Sequence, residues 1–344
     1  MKVKIIGAGS AGIHLTQACR RMGWAVWIFD KDPKAFERLY GIYSGRYGKW
    51  DDAIHVFKST VNSGPFADII MIATPPDVRM RLAIDAIKEK PKLLHLEKPL
   101  CTPDLKGVAE FETEMKNHPD TIVTVGYNHA VSKSIIRVID LLQDKVIGEA
   151  LTIDVEFREH WKGIFAAHPW LSGPHDNYLG FWARGGGAGG EHSHALHLWL
   201  TLARRAWGKR GTVSNVVSKL EMVSDIFNEY DKQARFLIEV EGRNVGGVVQ
   251  DVITSPPRKW ARIQGTEGFI EWYVNGDPTG DLVMYETEYK NAVEIFPKKR
   301  QDDFFCEIQH YAILLDGEKH CKSLLDYKYG REVMEILNKA YYSR

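Results

Sequence analysis

Three glycines, Gly7, Gly9 and Gly12, set directly after the apolar run Val3-Lys-Ile-Ile6, constrain this chain more than any other feature. The spacing Gly-x-Gly-x-x-Gly arises by chance in many proteins, but here its surroundings are complete. A helix-compatible run from Ala11 to Met22 follows, and a second apolar run, Val26-Trp-Ile-Phe29, ends in Asp30. That acid lies close to the spacing of about 20 residues at which a ribose-binding carboxylate is expected. Gly7 serves the tight turn, Gly9 lets backbone approach a pyrophosphate, and Gly12 brings strand and helix close together. Ser10 and Ala11 fall at the first helical turn, whose open N–H groups and partial positive charge favour phosphate. The segment reads as a dinucleotide cradle. Asp30 would accept from the ribose hydroxyls and repel a 2′-phosphate, which favours NAD; Lys31 weakens that preference and leaves NADP open.

Around this loop, short apolar runs alternate with helical patterns: Val3 to Ile6, Val26 to Phe29, Ile54 to Phe57, Ile69 to Ala73, Leu93 to Leu96 and Ile122 to Val125. Near-continuous apolar strands between helices are what a parallel sheet buried on both faces requires. An N-terminal α/β domain with a Rossmann doubly wound parallel sheet is therefore expected over residues 1–126. Past Gly148 the pattern becomes strict alternation, with Leu151, Ile153, Val155 and Phe157 against Thr152, Asp154, Glu156 and Arg158. Similar runs follow over 236–240, 247–253, 261–273 and 282–289. They predict an α+β domain over 127–344 with an open, mainly antiparallel sheet, for substrate binding and oligomerisation. A helix is expected over 191–207, and another over 327–340 that could pack back on the first domain.

A single lysine stands at the carboxyl end of the fifth apolar run, in Glu97-Lys98-Pro99, where ligands bind in doubly wound sheets. The third informative segment is Gly185-Gly-Gly-Ala-Gly-Gly-Glu-His-Ser-His-Ala-Leu-His197. Glycine at that density carries a conformational-entropy cost, so something is expected to approach the backbone closely. If one helix starts near Gly190, Glu191 and His194 share a face, and the positive helix end keeps a first-turn imidazole neutral and able to take a proton. His192 and His197 lack a second ligand cluster, so no metal site is expected. The run containing His160, Trp161, His168, Trp170, His175, Tyr178, Trp182 and Arg184 reads as a wall for stacking on sugar faces and bonding hydroxyls.

Charge excludes other partners. The 344 residues hold 45 Lys and Arg against 45 Asp and Glu, which removes the electrostatic argument for nucleic acid or an anionic membrane. No apolar run approaches the roughly 18 residues of a membrane span. The start leads into the glycine loop and not into a signal-peptide cleavage region, so Met1 is expected to begin the mature protein. Cys19, Cys101, Cys306 and Cys321 form no Cys-x-x-Cys pair and read as reduced, buried thiols of a cytoplasmic protein. A sheet with one open face needs covering, so a homo-oligomer, dimer or tetramer, is expected through it.

Taken together, the chain resembles the Gfo/Idh/MocA family of NAD(P)-dependent sugar and inositol oxidoreductases along essentially its whole length. The residues that carry the likeness are the glycine fingerprint, Ala73-Thr74-Pro75-Pro76, Glu97-Lys98-Pro99, Gly126-Tyr127-Asn128-His129, Ile147-Gly148-Glu149, the glycine-rich run into Ser193-His194, and Gly265-Thr-Glu-Gly268. The resemblance implies that Lys98 contacts the nicotinamide ribose and the substrate hydroxyl, that His194 is the acid/base, and that Thr74, Pro75, Pro76, Glu97 and Asn128 line the cofactor. Glu191 would orient the imidazole. Lys98, His129, His160, Trp161, Tyr178, Arg184 and His194 would contact substrate. The chain departs from the family at Glu191, three residues before His194 where many members carry an aspartate four before it, and at His197 where a second acid is usual. Ala130-Val131 replaces Arg-Phe.

The activity implied is hydride transfer between nicotinamide and a carbinol carbon of a sugar, sugar derivative or cyclitol. The alternative is a glycosidase that retains NAD, oxidises a ring carbon transiently and eliminates the glycoside. A nucleotide-sensing regulator without chemistry would lack Lys98 or His194, and both are present.

Overall fold

A computed structural model describes residues 1–59, 66–166, 168, 170–317 and 323–343, with only the backbone of Arg46 and Tyr47. Cys321 lies outside the described residues. Cys19 and Cys101 are buried thiols and Cys306 is half-buried.

The chain divides into two compact units, Met1–Asn128 with Arg300–Lys328, and His129–Lys299 with Tyr329–Arg344. In the first, β1 (Lys2–Ile6), β2 (Ala25–Phe29), β3 (Ile54–Phe57), β4 (Ile69–Ile72), β5 (Leu93–Leu96) and β6 (Ile122–Val125) form one sheet in the order β3-β2-β1-β4-β5-β6. Every neighbouring pair is parallel. This is the doubly wound Rossmann order, and the strand order reverses between β1 and β4. β4 and β5 are buried at every position, which explains the unbroken apolar sequence of β4 and leaves His95 of β5 buried among leucines.

Helices α1 (Ser10–Arg21), α2 (Pro33–Tyr47), α3 (Pro76–Ile87) and α4 (Val108–Asn117) belong to this unit. Asp32 caps α2 by accepting from the Lys34 N–H, and Pro33 supplies the fixed φ of the first turn. The later helix of the unit is α9 (Arg300–Leu315), which packs on α1 through contacts that include His14 stacked on Phe304 and Arg21 paired with Asp302.

The second unit holds α5 (Lys133–Gln143), β7 (Ala150–Arg158), α6 (Trp161–Ala166), α7 (Gly187–Glu191) and α8 (His194–Trp207). The strands β8 (Val213–Ser224), β9 (Glu229–Val240), β10 (Arg243–Asp251), β11 (Arg258–Gly265), β12 (Gly268–Asp277), β13 (Gly280–Thr287) and β14 (Asn291–Pro297) follow. Most of α10 (Tyr327–Tyr342) also lies here. Its sheet runs β14-β13-β12-β11-β7-β10-β9-β8, antiparallel throughout except for the β7–β10 pair. Ile153, Val155 and Phe157 face inward and are buried, while Leu151 at the strand start is exposed, contrary to the expected alternation. The Trp199 indole of α8 donates to the Ile153 carbonyl at 2.8 Å and ties that helix to the inner face.

Three further details differ from the sequence reading. The run over 261–273 is two strands, β11 and β12, joined by a turn at Thr266-Glu267. The helix expected from 191 to 207 is two helices that break at His192-Ser193. Strands β8 and β14 went unread because they are sheet edges with hardly a buried residue, so their apolar signal is dilute.

Candidate functional site

In the first unit the glycine loop joins β1 to α1 at the point where strand order reverses. Gly7 adopts φ +107°, and a Cβ there would lie 2.6 Å from the Ala73 carbonyl oxygen. A Cβ on Gly12 would collide with the Gly7 carbonyl. Gly9 is different, because nothing lies within 4 Å of a Cβ added to it. The space beside Gly9 and the N-terminus of α1 is therefore open, and no side chain caps that helix. Asp30, just past β2, accepts from the Ala8 N–H at 2.8 Å and from the Asp32 N–H at 2.9 Å. Its carboxylate is held beside the glycine loop with lone pairs to spare, and Lys31 next to it is exposed.

The loops after β4 and β5 complete this end of the sheet. Pro75 is exposed and Pro76 buried at the start of α3. Thr74 Oγ1 is buried with no hydrogen-bond partner among the described residues, as suits a group that awaits a ligand. One side chain that the sequence reading missed fastens both loops. Arg79, buried on α3, donates Nη1 to the Glu97 carbonyl at 2.6 Å and also to the Pro99 carbonyl, and Nη2 to the Thr74 carbonyl. The signal was a charge in register with the buried Ala83 and Ala86 of that helix.

Glu97 is buried, and its Oε2 accepts from the Lys98 N–H at 3.0 Å. Burial alone would raise its pKa. The neighbouring His95, whose Nε2 lies 3.7 Å from Glu97 Oε1, and the charges of Arg79 and Lys98 outweigh burial and hold the carboxyl below its ordinary value. Lys98 itself is half-buried at the carboxyl end of β5. Asn128, at the end of the same unit, is buried. Gly7, Gly9, Ser10, Ala11, Gly12, Asp30, Thr74, Pro76, Glu97 and Lys98 thus lie on the loops at the carboxyl ends of β1, β2, β4 and β5, which is where a dinucleotide fits this topology.

In the second unit the histidines gather. The His194 ring, at the first residue of α8, stands edge-on to His129 with centroids 4.9 Å apart. Phe157 stacks on His194 at 6.2 Å, and Trp272 approaches His129 at 6.2 Å. His129 and His194 are both half-buried. Glu191 ends α7 and His194 begins α8, so the expected i, i+3 relation within one helix does not hold. His192 is buried at the break, where its carbonyl accepts from the Gln250 side chain at 2.5 Å, and His197 is buried near Tyr329.

The glycines before α8 have an internal explanation. Asp231 of β9 is fully buried and accepts from the Gly189 N–H at 2.7 Å and the Tyr341 hydroxyl at 2.5 Å. Gly187 has φ +76°, and a Cβ on it would strike the Asp231 carboxylate. One on Gly189 would lie 2.7 Å from the Tyr341 oxygen, and one on Gly186 or Gly190 would meet backbone carbonyls. What approaches this backbone is the protein itself, not a ligand. The sequence gives no local sign of Asp231, which lies 42 residues from Gly189.

The aromatic run is split. Trp161 is buried in an apolar cluster with Leu179, Ala188, Tyr230 and Val252, stacked on Phe165 at 5.4 Å and edge-on to Tyr230 at 5.7 Å. It packs as a core residue of the second unit. Half-buried Tyr178 packs on the same cluster. His160 Nδ1 accepts from the Lys162 N–H at 2.9 Å, and Arg184 is exposed with its guanidinium 5.9 Å from the Phe181 ring.

The first unit defines a dinucleotide-binding type of fold, a Rossmann sheet with an open glycine loop. No protein-family model matches the chain, and no curated protein matches it by sequence. Solved structures do match along its whole length. An oxidoreductase from Agrobacterium radiobacter, in complex with NAD+, L-tartaric acid and magnesium, superposes with a TM-score of 0.77 at 17% identity, covering 100% of this chain and 96% of that one. Levoglucosan dehydrogenase, in complex with NADH and levoglucosan, gives 0.75 at 16% identity over 100% and 96%. The WlbA dehydrogenase from Bordetella pertussis, in complex with NADH and UDP-GlcNAcA, gives 0.70 at 16% over 99% and 95%. At these identities the likeness establishes the two-part fold. No helix among the described residues is long and apolar enough to cross a membrane.

Proposed function

We propose that the chain is an NAD-dependent oxidoreductase that moves a hydride between nicotinamide and a carbinol carbon of a sugar, sugar derivative or cyclitol. The observation that carries this reading is the loop at Gly9, open to a pyrophosphate, between an anchored Asp30 and a lysine at the end of β5. Neighbouring folds solved with NAD+ or NADH, one of them with levoglucosan, support the substrate class. When bound, NAD+ would supply the hydride acceptor. Ser10, Ala11 and Gly12 would offer N–H groups to its phosphates, Asp30 would accept from its adenosine ribose, and Thr74 and Glu97 would line it.

Lys98 would hold the nicotinamide ribose and polarise a substrate oxygen, and His194 would exchange the proton of the reacting hydroxyl. His129 stands beside His194 and would bond a second hydroxyl, with Arg184 and Tyr178 as further contacts. Glu191 would act on His194 across the helix break. We also propose that the chain forms a homo-oligomer through the outer face of the eight-stranded sheet, where Val217, Leu237 and Val293 are exposed and lie in one cross-strand row.

The test is NADH production across a panel of sugars, sugar acids, nucleotide sugars and inositols. Release of an aglycone without net NADH would replace the dehydrogenase with the NAD-retaining glycosidase. On the substrate found, Lys98→Met should cut turnover by at least about a hundredfold with NADH affinity nearly unchanged. His194→Asn should do the same, while His192→Asn and His197→Asn serve as controls. If either control reproduced the loss and His194→Asn stayed active, the acid/base would be misassigned.

A further inference from the structure

Behind the Lys98 loop lies a buried cluster of titratable groups with no part in the chemistry described so far. His95, on β5, is fully buried, and its Nδ1 lies 2.7 Å from the Tyr311 hydroxyl and 3.7 Å from Glu307 Oε1. Tyr311 donates to Glu307 Oε1 at 2.8 Å, and both side chains come from α9. On its other edge, His95 Nε2 lies 3.7 Å from Glu97 Oε1, and Glu97 Oε2 accepts from the Lys98 N–H. Gly126 leaves room for the arrangement, since a Cβ there would lie 2.8 Å from the His95 ring and 3.3 Å from the Glu97 carboxylate. A continuous series of buried groups therefore runs from α9 to the backbone of Lys98.

We infer that Glu307 is a positioning residue that acts through His95 and Glu97 on the Lys98 loop, and that its charge makes the protein discriminate between the oxidised and reduced forms of the nicotinamide. The inference rests on the reading of Lys98 as lying beside the nicotinamide. Two carboxyl groups flank one imidazole, in a site without water's dielectric to separate them. Only one of them is readily ionised. Glu97 is held ionised by its partners. Burial, with the charges of Glu97 and Asp303, pushes Glu307 up to about 7, against the opposing effects of His95 and the Tyr311 hydroxyl. The Cys19 thiol of α1 also faces it, itself pushed up by burial and by Glu307.

The cluster therefore gains a negative charge as pH rises through neutrality. The nicotinamide of NAD+ is cationic and that of NADH is neutral, whereas the phosphates and adenosine are common to both. A charge that develops behind the loop favours NAD+ and leaves NADH almost unaffected. One unit charge there changes the ratio of the two affinities on the order of fourfold. In the bound complex the effect would make the nicotinamide a weaker hydride acceptor as pH rises, because the oxidised side is the one stabilised.

The experiment measures dissociation constants of NAD+ and NADH by calorimetry on the full chain at intervals between pH 5.5 and 8.5. NAD+ should tighten relative to NADH by about fourfold across neutrality. Glu307→Gln should flatten the ratio. Tyr311→Phe removes a hydrogen bond to the carboxylate, so it should shift the step to higher pH, and it serves as the test if the glutamine variant fails to fold. Damage that is merely structural would move both affinities together and leave the ratio unchanged. A ratio independent of pH in a protein that binds both forms, or an unaltered step in the folded variants, overturns the inference alone. Absence of binding by both forms overturns the cofactor reading as well.

Discussion

Two glycine-rich segments of this chain look alike in sequence and do opposite things. Around Gly9 the missing side chain leaves open space, whereas between Gly186 and Gly190 every missing side chain is replaced by another part of the protein. The first segment is local, a strand, a turn and a helix within about twenty residues, so its meaning can be read from spacing alone. The second takes its shape from Asp231 and Tyr341, brought in from a distant strand and the last helix. Glycine density thus signals close approach in both places, but only the neighbours reveal whether a ligand or the protein is the one approaching.

The contrast can be broken most forcefully at Gly187. Alanine there must adopt a left-handed backbone and displace the Asp231 carboxylate, so Gly187→Ala should lower unfolding free energy by at least about 3 kcal/mol in urea titration. A loss below about 1 kcal/mol would show that the segment yields, and the distinction would fail. Gly9→Val is the converse case, since Gly9 has an extended backbone that any residue adopts. Stability should stay within about 0.5 kcal/mol while NADH affinity falls at least about tenfold by fluorescence titration. Unchanged affinity would mean that no phosphate lies at that loop.

Tyr341→Phe sharpens the comparison further by removing one hydrogen bond to Asp231 and no apolar contact. About 1 kcal/mol of stability should be lost, with NADH affinity untouched. The smallest effect is expected at Asp30. There Ala removes both the ribose acceptor and the bond to the Ala8 N–H, and relative use of NADP over NAD should rise a few fold in initial rates. Equal or better use of NADP by the unaltered protein would overturn the assignment of Asp30.

The same division between local and distant determinants explains what the sequence disclosed. The six parallel strands were legible because burial leaves them mostly apolar, and the nucleotide loop was legible because it is contiguous. Helix α9 was not. The face it buries mixes Asp303 and Glu307 with Ile308, Tyr311 and Leu314, so the charges dilute its apolar periodicity. His194 and His129 were each singled out, but their meeting depends on Phe157 and Trp272 from two strands of the second sheet. Trp161 was read as a sugar platform because aromatic residues near a glycine-rich loop suit one, whereas the fold uses the ring to fill its core.

Arg79 has a consequence for anyone who would rebuild this protein. Because one guanidinium holds carbonyls from the loops after both β4 and β5, those loops form a single heritable unit, and exchanging either with a homologue's segment would strand three acceptors or a buried cation. Grafts meant to alter substrate preference should carry residue 79 and both loops together, and a lysine at that position could not span them. The boundary of an exchangeable module in this fold is drawn by a side chain on a helix, not by the ends of the loops.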